Sequence, residues 1–189
     1  GRSDVIYSDR ENHASILEGT RLAIGDTVKF KHNDMEDLER VLRNTRSKYA
    51  GALIVADGVF SMSGDILNLP AVAELARKYN CRVYIDDAHA LGVLGPKGQG
   101  TEHHFGMVGA ADLVIAKMDA TLNDPPENIN VRGYPTLYLF PGNNKQTPIL
   151  YEGDRTGKAI KRFLRKNAHN TIPDSKKKAE TKDSKKSDL

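Results

Sequence analysis

The sequence predicts an α/β fold built on a parallel or mostly parallel sheet. Three observations carry that reading. Short apolar runs of strand length alternate with helical patterns through the first part of the 189-residue chain. Apolar residues make up 39% of the sequence, and a single domain of this size buries roughly two thirds of its unfolded surface. The run VYIDDAHALGVLG, Val83 to Gly95, ends an apolar strand in two carboxylates and a histidine. In parallel sheets, ligands bind beyond the carboxyl ends of the strands.

The strands fall at Val5–Ser8, Thr27–Lys31, Ala52–Ala56 and Arg82–Asp86. Helices lie between them. Asn33 is placed to cap a helix whose Met35, Leu38, Val41 and Leu42 share one face. Pro70 sits at a second helix start, followed by Val72, Leu75, Ala76 and Tyr79 on one face. After Asp112 the texture changes. Leu113 to Met118 reads as another strand, and NDPPEN as a turn-rich connection. YPTLYLF and PILYEG read as two strands joined by the loop PGNNKQ, which favours an antiparallel hairpin. A last helix carries Ala159, Ile160, Phe163, Leu164 and Ala168 on one face. From Thr171 onward there are six lysines, four acids and almost no apolar residues, so residues 171–189 are expected to be disordered.

Composition limits the function. A net charge of +3 is too small to argue for a nucleic-acid partner. No run of 18 apolar residues exists, so no membrane-spanning helix is expected. The single cysteine, Cys81, excludes an internal disulfide, a CxxC dithiol and a Cys-rich zinc site, and no metal site is expected. Cys81 opens an apolar strand and reads as a buried, inert thiol. Read alone, Asp86 and Asp87 cap a polar turn. His13 alone is a helix-start residue and Ser61 alone a turn residue. His103 and His104 read as surface or packing residues.

Four segments read together go further: SDRENHAS (8–15), KFKHNDMEDLERVL (29–42), DGVFSMSGDILNLP (57–70) and IDDAHALGVLGPKGQGT (85–101). With them, residues 4–115 resemble the large domain of the α-oxoamine synthases, pyridoxal-phosphate enzymes that join an amino acid to an acyl-CoA thioester with loss of carbon dioxide. The resemblance implies a partial aminotransferase-like (fold type I) sheet over residues 1–115. It implies pyridoxal phosphate as cofactor, with Asp86 beside the ring nitrogen, where an anion keeps that nitrogen protonated. It implies His89 and Ser61 at the phenolic oxygen and His13 stacked on the ring face. Ser63 departs from the family, which carries Asp there. The family's Schiff-base lysine should fall near position 120, which is Ala120. Lys117, the remaining candidate for the Schiff base, lies three residues early; within a strand that shift reverses its facing, so it substitutes only if the strand is re-registered. Cofactor binding is therefore expected to be weak and non-covalent.

The segment from Asp112 to about residue 170, with VIAKMDAT and VRGYPTLYLFPGN, resembles the second half of a protein disulfide isomerase catalytic domain. That resemblance implies a thioredoxin-like βββα half-domain over 112–170. It implies that Pro135 is a cis-proline, a bond geometry that X–Pro tolerates at about 0.5–1 kcal/mol, and that Tyr134 and Pro135 border a peptide-binding surface. Disulfide exchange is not expected without a thiol pair. The final KSDL resembles endoplasmic-reticulum retrieval signals, with departures at Ser187 and Asp188. The N-terminus lacks signal-peptide form, and a cytoplasmic location is expected, with the endoplasmic-reticulum lumen as the alternative.

The seam lies within GAADLVIAKMDA, where both families place a parallel strand. Three origins fit it: a misjoined or recombined reading frame, a designed chimera, or a real fusion. A chimera of two truncated domains is favoured. The expected partners are an amino acid and an acyl-CoA for the first part and an unfolded peptide for the second; an oligomer is left open. Three functions follow: a catalytically impaired acyltransferase segment, a peptide-binding module without CxxC, or a non-functional fusion.

Overall fold

The structure is a computed structural model and describes residues 1–117, 120–122, 125, 127–142, 144 and 146–168. The chain divides into two compact units, Gly1–Asp119 and Ala120–Leu189.

The first unit is built on a five-stranded sheet in the order β2-β1-β3-β4-β5, with every pairing parallel. The strands are β1 (Asp4–Asp9), β2 (Asp26–Phe30), β3 (Gly51–Asp57), β4 (Arg82–Asp86) and β5 (Leu113–Ile115). They are connected through α1 (Ala14–Arg21), α2 (Met35–Thr45), α3 (Leu69–Lys78) and the short α4 (Thr101–His104). Alternate side chains of a strand face opposite sides. Val5 and Tyr7, Ile54 and Ala56, and Val83 and Ile85 all enter one core with Leu38, Val41 and Leu42 of α2 and Val72, Leu75 and Ala76 of α3. Burying each large aliphatic side chain there stabilises the fold by about 1.5–3 kcal/mol. On the opposite face, Ile6, Leu53, Val55 and Tyr84 line a groove of about 310 Å³ with Ile16, Gly19 and Thr20 of α1.

The four long strands lie within two residues of their expected positions. The capping residue of α2 is Asp34, whose side chain accepts from the Asp37 amide at 2.9 Å, and not Asn33. Asn33 has φ 48° and makes the turn before the cap. β5 ends at Ile115, shorter than the expected run to Met118, and Met118 itself lies outside the described residues. It is one of the sheet's two outer strands and its three residues are exposed, so little apolar burial extends it. Cys81 precedes β4 and is half-buried rather than buried, with burial pushing its thiol pKa up.

In the second unit, β6 (Tyr138–Leu139) and β7 (Ile149–Leu150) form the expected antiparallel hairpin. They are followed by α5 (Gly157–Asn167), capped by Thr156. Ala168 ends α5 rather than continuing its face. Tyr151 meets Phe163 edge-on at 4.9 Å. The lysine-rich segment and KSDL lie outside the described residues.

Candidate functional site

The sheet order fixes where a site belongs. From β1 the chain moves outward to β2, then returns across β1 to β3. Such a reversal opens a crevice at the carboxyl ends of the two central strands. The residues that follow β1 and β3 there are Asn12, His13 and Gly58, next to Asp57 itself.

Asn12 ties the two strand ends together. Its side-chain amide donates to Val55 O at 3.0 Å and to Ser8 Oγ at 3.1 Å, and its carbonyl oxygen accepts from the Asp57 amide at 3.0 Å. Asp57 Oδ2 accepts in return from the His13 amide at 2.7 Å. His13 is thereby held as the cap of α1, with Nδ1 facing Ser15 Oγ at 2.9 Å and the ring exposed.

One strand over, Asp86 pairs in register with Asp57. Its Oδ1 accepts from the Ala88 amide at 3.0 Å, and its other oxygen takes no donor among the described residues. Burial pushes the Asp57 carboxyl pKa up; the His13 amide bond pulls it back; the Asp86 charge pushes it up again, and the charges of His13 and His89 draw it down. His13, Asp57, Asp86 and His89 thus share one electrostatic neighbourhood. Tyr84 feels it too: burial, with the charges of Asp86 and Asp57, pushes its hydroxyl pKa up to about 12.

Asp87 has a different task. It is buried and accepts from the Thr101 amide at 3.0 Å and the Thr101 hydroxyl at 2.7 Å. This closes the 87–101 loop on itself and leaves His89 exposed on it. Gly58 and Gly100 pack so tightly here that a Cβ on either would lie 2.2 Å from an Asp87 carboxylate oxygen. The pair Asp86–Asp87 therefore splits into one carboxylate presented at the strand end and one that fastens the loop.

Ser61 stands apart. It is exposed in the turn after Phe60 and is hydrogen bonded to none of the four residues above. Lys117 lies two residues past the end of β5, exposed and outside any strand, so the facing expected for a strand residue does not apply to it. Ala120 lies in a turn in the second unit. Asp57 was absent from the sequence candidates. Its signal was available: like Asp86, it is an acid closing an apolar strand at the edge where ligands bind. His103 and His104 are exposed on α4. Among the described residues no group of three or more His, Cys, Asp or Glu is arranged to hold a metal ion, and no helix is long and apolar enough to cross a membrane. In the second unit the Tyr134–Pro135 bond is cis, Tyr134 is exposed, and Arg155 donates to Pro135 O at 2.7 Å.

Comparison with known proteins bears on both units. Residues 1–119 match the family model of aminotransferase class I and II. The chain belongs to the aminotransferase class I and II family. Within it, the first unit is similar to 8-amino-7-oxononanoate synthase of Treponema denticola, 50% identical over 121 residues, which covers 64% of this chain and 31% of that protein. It is also similar to serine palmitoyltransferase of Bacteriovorax stolpii, 54% identical over 113 residues, covering 60% and 27%. Among solved structures, a variant serine palmitoyltransferase from S. paucimobilis with bound PLP–myriocin aldimine superposes with a TM-score of 0.58 at 34% identity, over 61% of this chain and 29% of that one. The chain thus spans about a third or less of the length of these relatives. The thioredoxin family model matches residues 101–166. The two matches overlap across 101–119, which contains most of the expected seam.

Proposed function

We propose that residues 1–119 are a pyridoxal-phosphate-binding segment of an α-oxoamine synthase, able to hold the cofactor ring but not to anchor it covalently. The observation that supports this most is the grouping of Asp86, one of whose oxygens takes no donor among the described residues, beside His13, Asp57 and His89 at the carboxyl edge. When bound, the cofactor supplies an electron sink for carbanion chemistry at the substrate's α-carbon. Asp86 would hold a proton on the ring nitrogen, which an adjacent anion favours. His13, fixed at its backbone by Asp57, would lie on the ring face. His89 and Ser61 would serve the phenolic oxygen. The substrates of the intact reaction would be an amino acid and an acyl-CoA thioester. With Lys117 past the strand end and Ala120 at the position of the family's lysine, we infer binding without efficient turnover.

The test is a pyridoxal-phosphate titration of the full chain read by visible absorbance, followed by borohydride reduction and peptide mapping. Saturable binding weakened at least about tenfold by Asp86→Asn, the scale of one lost charge-assisted bond, is the expected result, with no reduced label at Lys117. Equal binding by parent and Asp86→Asn, or label scattered over surface lysines, would overturn the ring site. A stoichiometric label at Lys117 would overturn its non-covalent character.

For the second unit, the thioredoxin match and the exposed Tyr134 support a second reading. In it, a segment derived from a protein disulfide isomerase binds unfolded peptide without exchanging disulfides.

A further inference from the structure

The segment HND, residues 32–34, follows β2 and has no part in the ring site. Its bonds show what it does. Asp34 caps α2. Asn33, turned by its φ of 48°, reaches the 58–68 loop: its Nδ2 donates to Ile66 O at 3.0 Å and its Oδ1 accepts from the Asn68 amide at 3.1 Å. His32 lies between two carboxylates from different segments. Nδ1 faces Asp9 Oδ1 at 3.1 Å, and Nε2 faces Asp65 Oδ2 at 3.1 Å, with Glu11 Oε2 at 3.8 Å. Phe60 packs edge-on against its ring at 4.4 Å.

A neutral imidazole has one N–H and one lone pair, whereas an imidazolium donates at both nitrogens. Two carboxylates, which accept and do not donate when ionised, therefore match only the charged ring. The two sides are not equivalent. The Asp9 side chain is fully buried and also accepts from the amides of Glu11, at 2.9 Å, and Asn33, at 2.8 Å. The Asp65 side chain is 56% exposed. When the ring loses a proton, keeping the remaining one on Nδ1 serves the buried acceptor, because stripping a buried carboxylate of a donor is costly. Asp65 can turn to water instead.

We propose that His32 is a positioning residue whose imidazolium clamps the 58–68 loop, which carries Ser61, onto the end of β1, and that the clamp releases on its Asp65 side when the ring is neutral. Burial disfavours the charge on His32, but the hydrogen bonds to Asp65 and Asp9 and the charges of Asp9 and Glu11 outweigh it, so the ring's pKa lies above its ordinary value of 6.5. The sign follows. A histidine with a raised folded pKa contributes stability that is complete below its unfolded pKa and lost as pH rises through the folded value. The clamp is closed below about pH 6.5 and opens as pH rises through the ring's raised folded pKa, which lies above that value. The role of Ser61 rests on the proposed cofactor site; the clamp requires no cofactor.

Hydrogen exchange of the full chain without cofactor tests it, read on peptides spanning 58–68 across pH 5.5–9 and corrected for intrinsic exchange. The expected result is a drop in loop protection of about threefold to tenfold as His32 deprotonates, the scale of one partly exposed ionic contact. Peptides of α2 should show no such step. Asp65→Ala, at an exposed position, removes the loop's acceptor for Nε2 and puts no donor in its place, and should abolish the step and hold the loop at its high-pH protection throughout. A parent loop with pH-independent protection, or a step that survives in Asp65→Ala, would overturn the clamp. Neither outcome depends on the pyridoxal-phosphate titration, so the clamp and the ring site can fail separately.

Discussion

The unit over residues 1–119 and the unit that begins at Ala120 differ in what lies beneath their strands. In the first, the strands are in register across a five-stranded sheet, and α2 and α3 cover one face with fully buried aliphatic side chains. In the second, two strands of two residues each pair, and Leu137, Phe140 and Leu150 remain 39–45% exposed. α5 has as clear an apolar stripe as α2, yet no residue of α5 is buried, whereas α2 buries Leu38, Val41 and Leu42. Amphipathic patterning states what a helix could bury. Stability follows from what it does bury, and an isolated two-stranded hairpin is marginal in water. Motifs at least as recognisable in the second unit as in the first therefore do not carry equal stability.

The strongest way to break this comparison is to truncate one apolar residue on each side. Leu42→Ala should destabilise the first unit by about 2–5 kcal/mol, through lost transfer energy and an unfilled cavity. Phe163→Ala, at a half-buried position, should cost under about 1.5 kcal/mol. Hydrogen exchange resolved by unit measures both in one protein. Comparable losses would show that the second unit has a core of its own and would remove the contrast.

Glycines sharpen the same contrast at the site. A Cβ at Gly58 would lie 2.2 Å from both Asp87 Oδ1 and Thr101 Oγ1, so the knot that fastens the 87–101 loop must shift. Gly58→Ala should cost about 1–3 kcal/mol, the usual scale of overpacking. It should also loosen the 87–101 loop, seen as faster exchange there. Gly133 has open space around its Cβ position, and Gly133→Ala should change chemical-denaturation midpoints little. A neutral Gly58→Ala would mean that the close approach at Asp87 is not what holds the loop.

The strands of the first unit were legible because apolar runs bounded by turns leave little choice. The sheet's parallel character followed from the helices between them. What the sequence did not display is register. Asp57 and Asp86 lie 29 positions apart, and only the pairing of β3 with β4 brings them side by side. Backbone sign was hidden as well. Asn33 and Asp34 are both good caps, and the left-handed φ of Asn33 decides between them. The end of β5 was overestimated because LVIAKM is apolar enough for a longer strand, but an outer strand gains little from extension. Asp87 read as one of a matched pair, and burial against Thr101 separates it from Asp86.

The smallest effect concerns Asp57 and requires a sign. In the unfolded chain its carboxyl titrates near the ordinary value of 3.8; in the fold that pKa is raised, by burial first and by Asp86 in addition. Between the two values the native state holds a proton that the unfolded state has released. Stability therefore falls as pH rises through that window, and the loss persists above it. An asparagine at position 57 keeps a carbonyl oxygen for the His13 amide and carries no charge to repel Asp86. Melting temperatures of the Asp57→Asn variant should thus fall less than those of the parent between pH 4 and pH 7, with the two closest at the acid end. Asp87, also raised by burial, remains in both proteins and adds the same slope to each. Parallel curves for parent and variant would mean that Asp57 stays solvated enough to ionise freely. The second carboxylate at the strand edge would then be a backbone fastener for His13 and no part of the charge that a bound ring would meet.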